Sequence, residues 1–164
     1  MKRNKQAKIL EDLDNPLIEV FVQKNYDYYK EVWNTCKEKN SLNSLNWSAL
    51  FLGPIWLAYR KMYLYLFLIY GGYIVLSLIL NEFLGIRVGT VHISLTIYSA
   101  IGTNSLYLHF VKNKIKEIEE STNDENEKTT IIREAGGVSL SNALFVSALY
   151  IIILASYITI TFVE

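Results

Sequence analysis

A single cysteine, Cys36, stands among the 164 residues. No intrachain disulfide can therefore form, and no paired Cys/His spacing marks a zinc site. Net charge is lacking too, since sixteen Lys/Arg balance sixteen Asp/Glu. Without a positive field the chain offers nothing general to nucleic acid, which removes that class of partner. There is no internal repeat. The basic start, Met1-Lys2-Arg3-Asn4-Lys5, is not followed by an apolar run, so no cleavable signal peptide is expected there. The most informative absence is of charge within long segments. Residues 62–81, 88–111 and 135–163 contain no Asp, Glu, Lys or Arg. Ten of the sixteen basic residues fall in 1–61 and five in 112–134. A soluble domain intersperses its charges, so this separation into blocks points to a small, all-α integral membrane protein.

What is present divides at about residue 40. Residues 1–14 are polar and expected to be frayed. Asn15-Pro16 is a helix start, since Asn caps and Pro suits the first turn. From there Ile18, Val22, Tyr26, Tyr29, Trp33 and Cys36 recur at helical spacing, which predicts one amphipathic helix to about Asn40. Such a helix either packs on the rest of the protein or lies along lipid headgroups. A cytoplasmic region over 1–40, folded against a membrane domain over 41–164, is the reading adopted. Tyr26, Tyr29 and Trp33 form its candidate partner-docking stripe. Cys36 reads as a small apolar residue on that helix face.

Residues 41–46 are a polar connector ending on Asn46, a good N-cap. The stretch 47–61 is apolar as far as Tyr59 but short for a bilayer core of about 30 Å, which takes about 20 helical residues. It is also interrupted by Gly53-Pro54, which removes a helical hydrogen bond. An interfacial or re-entrant helix is the preferred reading, with a full span as the alternative. Trp47, Trp56, Tyr59, Arg60 and Lys61 are its candidate membrane-interface anchors. Three transmembrane helices follow, at about 62–82, 88–110 and 138–162. A charged cytoplasmic segment over 112–134 separates the last two. Its first half can prolong the second span as a helix, and residues 121–126 read as its end and a loop. Gly71-Gly72 is read as allowing close helix approach. Because the 82–87 loop holds one basic residue, the positive-inside rule places the N-terminal region in the cytoplasm and the C-terminus outside.

Chemistry-bearing residues are few. His92, Thr96, Ser99 and Thr103 share one face of the second span. That face is a helix-packing seam of small hydroxyl residues, or a polar path. His92 and His109, about 25 Å apart on a continuous helix, cannot bind one metal. No nucleophile–base–acid constellation is visible, so an enzyme is not expected, and neither catalytic residues nor cofactors are assigned.

The order Asn46-Trp47-x-Ala49, then Phe51-x-Gly53-Pro54-x-Trp56-x-x-Tyr59-Arg60-Lys61-Met62-Tyr63, resembles the core of the domain of unknown function 2628 family. Lys24-Asn25-x-x-Tyr28-Tyr29 with Trp33, the set Asn104, Tyr107 and His109, and Gly136-Gly137 extend the resemblance over most of residues 21–140. It implies a multi-pass protein of the bacterial inner membrane and supplies no catalytic residues. The function expected is a non-enzymatic adaptor or regulatory subunit of a membrane assembly. The lipid bilayer and a membrane-protein partner or second copy would surround it. A small channel or transporter component using the polar face of the second span is the alternative.

Overall fold

The computed structural model describes residues 9–85 and 88–163, with side chains described for 9–85, 100–152 and 155. The described residues are helical or in turns and loops. Helix α1 spans Pro16–Val22, α2 Tyr26–Glu38 and α3 Trp47–Tyr59. Helix α4 runs over Tyr63–Leu84, α5 over Val88–Ser121, α6 over Glu125–Ala135 and α7 over Leu140–Val163.

Helix α1 begins as its sequence predicts. The Asn15 side chain accepts from the Leu17 N–H at 2.9 Å, with Pro16 in the first turn. The expected single helix to Asn40, however, is two helices. Gln23 and Asn25 take positive φ, 53° and 64°, and the chain turns between Val22 and Tyr26. The apolar stripe survives the break: Ile18, Val22, Tyr29, Trp33 and Cys36 are all buried. Residues 9–15, expected to be frayed, instead bury Leu10 and Leu13 in the same core.

Helix α3 is short and broken. Its thirteen residues reach about 20 Å at 1.5 Å each, well under a bilayer core. Asn46 caps it by accepting from the Ala49 N–H at 2.8 Å. At Gly53 the backbone leaves helical geometry altogether (φ 39°, ψ −106°), a conformation that only glycine adopts without strain. A methyl group there would also run into the Tyr70 hydroxyl. Pro54 then opens the second half, where its missing N–H is tolerated.

Helix α4 contains a π turn over Phe67–Gly71. Gly71 and Gly72 stand at its end, and an added methyl at either would meet open space. The expectation that they permit close helix approach is therefore corrected. They sit where the hydrogen-bond ladder returns to α geometry. Helix α5 is one continuous rod of 34 residues. At about 50 Å it is longer than a bilayer core of about 30 Å, and its last turns carry its charged residues. Ser121 ends it as expected, and Asp124 caps α6 through the N–H groups of Asn126 and Glu127.

The core lies at one end of the molecule. Tyr107, Leu108, Val111, Ile115 and Ile118 of α5 form its axis, with α1, α2, the second half of α3 and α6 packed around them. The other end is different in kind. Two stretches are long and apolar enough to cross a membrane: Tyr63–Leu84 and the final apolar run, described to Ile152. Only 6% of the first one's apolar window is buried. Phe67, Val75, Leu78, Phe83, Phe145 and Ile151 are all exposed.

The loop between α6 and α7 closes the core. Gly137 donates to the Phe21 carbonyl at 2.7 Å, and Ser139 donates to the Tyr59 carbonyl at 2.9 Å. A methyl on Gly136 would collide with the Phe21 backbone. Gly136→Ala is therefore expected to cost about 1–3 kcal/mol through forced displacement of packed backbone. Gly72→Ala, facing open space, should leave the melting temperature in detergent essentially unchanged. Equal Tm for both variants would refute this assignment.

Candidate functional site

Arg60 ends α3 and is 2% exposed. One Nη donates to the Val22 carbonyl at 3.3 Å and to the Tyr107 hydroxyl at 3.4 Å, and the other to the Lys24 carbonyl at 2.9 Å. The guanidinium carbon lies 4.7 Å from the Tyr29 ring centroid, 5.1 Å from Tyr107 and 5.8 Å from Tyr59. The break between α1 and α2 makes this possible, because it turns the carbonyls of Val22 and Lys24 out of any helical ladder. All these partners are neutral. Among the described residues Arg60 makes no ion pair, and its Nε is buried without a hydrogen-bond partner. A buried charge normally requires a counter-charge or full hydrogen bonding. Here the negative faces of three rings supply part of the compensation.

Arg60 is also among the residues that line a cleft of about 450 Å³ between α2, α3 and α7. Its walls include Tyr29, Trp56, Ser48 and Ser147, and its mouth the exposed Leu52, Leu140 and Leu144. Among the described residues no carboxylate lines it. Burial pushes the Tyr29 phenol above its ordinary value, and the Arg60 charge and hydrogen bond pull it part of the way back.

A second polar group fixes the entrance of α3. Asn46 Nδ2 donates to Asn104 Oδ1 at 2.8 Å, and Asn104 Nδ2 donates to Ser44 Oγ at 3.1 Å. Trp33 Nε1 donates to the Asn104 carbonyl at 2.9 Å. The N–H groups of Ser44 and Asn46 donate to the carbonyls of Ile101 and Ala100, both at 3.0 Å. Asn104 thus joins α2, the 41–46 connector and α5 in a region closed to water.

The residues singled out from sequence are distributed as follows. Tyr29 and Trp33 are buried against α5, with Tyr107 4.9 Å from the Tyr29 ring. Tyr26 is half-buried under the Lys30 ammonium. This stripe is thus largely consumed inside the chain. Trp47 is exposed and stacked on Phe51. Trp56 and Arg60 are buried, and Tyr59 is half-buried. Lys61 donates to the Glu134 carbonyl at 2.9 Å. Thr103 is buried and lines a smaller cavity between α3, α4 and α5. The side chains of His92, Thr96 and Ser99 lie outside the described residues. Among the described residues no three His, Cys, Asp or Glu side chains are placed to hold a metal. The pairing of Asn46 with Asn104 escapes sequence reading, because 58 residues separate them. Only the unusual presence of a carboxamide on an otherwise apolar helix face could have flagged it.

No curated protein and no solved structure matches the chain. The family described as protein of unknown function (DUF2628) matches residues 18–113. That range includes most of α1, all of α2, α3 and α4, and Arg60, Asn104 and Tyr107. The chain belongs to this family.

Two outcomes follow from these contacts. Asn104→Ala leaves Asn46 Nδ2 buried and unpaired, at an expected cost of about 2 kcal/mol. Combined with Asn46→Ala, the loss should fall about 1 kcal/mol short of additive. Purely additive losses in denaturant titrations would contradict the pairing. The raised Tyr29 pKa favours the protonated phenol in the folded state. Its contribution is thus intact below the unfolded value of about 10 and is lost as pH rises through the folded value. Tyr29→Phe should therefore flatten the alkaline loss of stability, and an unchanged slope would count against a buried phenol.

Proposed function

Within this family setting, we propose that the protein is a non-enzymatic subunit of a membrane assembly, anchored in the bacterial inner membrane by three spans. These are α4, the first part of α5 and α7, with α3 re-entering from the cytoplasmic face. The core of α1, α2, α6 and the end of α5 forms a cytoplasmic head. The observation that carries this reading is the contrast between the two ends of the molecule. A helix as apolar and as bare as Tyr63–Leu84 is stable only where lipid or another apolar surface covers it. The charge distribution supports the orientation. Fifteen of sixteen basic residues then lie on the cytoplasmic side. The head supports an adaptor role in that it is firmly joined to the anchor, so that a partner held at either end would sense the other. Helices α4 and α7 leave apolar faces for a membrane partner or a second copy.

Thiol accessibility tests the arrangement. Cys36 is buried and serves poorly as a reporter, so it is first replaced by Ala. Glu82→Cys, exposed at the end of α4, should react with a membrane-impermeant maleimide in intact cells. Glu119→Cys, exposed on the projecting end of α5, should react only after permeabilisation. Labelling of Glu119→Cys in intact cells would overturn the topology.

A further inference from the structure

We propose that the cleft above Arg60 binds the anionic headgroup of a membrane phospholipid, with the lipid's acyl chains leaving over Leu52, Leu140 and Leu144. Among the described residues the cleft combines one cation with walls that carry no carboxylate. A guanidinium has five N–H donors, and here Nε has none of its hydrogen-bonding capacity met, although the side chain is 98% removed from solvent. Its other partners are neutral carbonyls, a phenol and ring faces. The charge is thus balanced by dipoles alone, and an anion in the cleft would complete it once the enclosed side chain shifts toward it. Charge-assisted bonds to phosphate suit the planar guanidinium fork best. Ser48 and Ser147 on the walls, and the Asn25 carboxamide at the rim, add hydroxyl and amide groups that a phosphoglycerol head can use.

The shape of the cleft selects an amphiphile over a free anion. Its polar floor is at Arg60, while Leu52, Leu140 and Leu144 at the mouth are 48%, 65% and 61% exposed. These leucines lie on α3 and α7, beside the apolar faces left bare elsewhere. An inorganic ion gains nothing from them, whereas an acyl chain covers them. Arg60 also sits where α3 meets α4, at the level where the re-entrant helix would return to the headgroups. The inference rests on the membrane reading for the lipid's access to the cleft. Its test, done in detergent, is independent of the number and direction of spans.

The full-length protein in mild detergent is titrated with phosphatidylglycerol, phosphatidylcholine and inorganic phosphate. Bound molecules are counted by native mass spectrometry, and the Trp fluorescence, to which Trp56 of the cleft wall contributes, is recorded in parallel. Phosphatidylglycerol should occupy one site at least about tenfold more tightly than phosphatidylcholine, and inorganic phosphate should not displace it. Arg60→Gln should erase this preference. Because that change can also unfold the head, Ser147→Phe fills the cleft and leaves Arg60 in place. It should abolish the tight site while the Tm without lipid stays near that of the parent. Equal binding of the two lipids, or undiminished phosphatidylglycerol binding by a folded Ser147→Phe variant, would overturn the proposal. Displacement by inorganic phosphate would show a free-anion site and overturn the lipid assignment.

Discussion

The burial of one positive charge without a carboxylate is the constraint on which this molecule depends. Arg60 could not sit where it does in a chain with a continuous N-terminal helix, because the carbonyls of Val22 and Lys24 would be engaged or turned away. It could not sit there without Tyr29 and Tyr107, whose ring faces stand in for a counter-ion. The left-handed residues Gln23 and Asn25 therefore serve the arginine as much as they serve the turn. In return the guanidinium joins four helices at one point. Removing it would leave oriented carbonyls and a phenol with nothing to bind, a heavier loss than the weak pairs on the surface of α5 and α6 can offset.

Around that point the two ends of the protein follow different solvent rules. At one end, apolar side chains are gathered inward from α1, α2, α3, α5 and α6, and the loops carry the charge. At the other, the helices turn their apolar side chains outward. Helix α3 belongs to both regimes. Its first half offers Trp47 and Phe51 outward, and its second half buries Trp56, Leu57 and Ala58. The non-helical glycine between the halves allows one short segment to face both ways. Helix α5 has no break, and its sequence passes from uncharged residues to a core axis and then to a charged end.

Much of this was legible in the sequence. The caps at Asn15 and Asn46, the shortness of α3, the break at Gly53-Pro54 and the end of α5 at Ser121 all follow from local chemistry, and each is present. The family was legible from the order of aromatic and glycine residues around Gly53-Pro54. The rest depends on distant partners. Nothing near Gln23 announces a break, since positive φ there is repaid by contacts with Arg133 and Arg60 far along the chain. Arg60 reads as a membrane-interface anchor because a basic residue after an apolar run usually ends at the headgroups. Only its three-dimensional neighbours make it a buried group. Gly71-Gly72 and Gly136-Gly137 look alike as dipeptides. One faces open space and the other is pressed against Phe21.

The closing loop between α6 and α7 also bears on biogenesis. Gly137 and Ser139 clasp Phe21 and Tyr59 across most of the chain's length. Contacts of such long sequence separation form late. During synthesis, the first sixty residues would wait with Phe21, Tyr29 and Trp33 uncovered until α5 and then the glycine pair had emerged. Closure of this core therefore waits on the residues of the loop between α6 and α7.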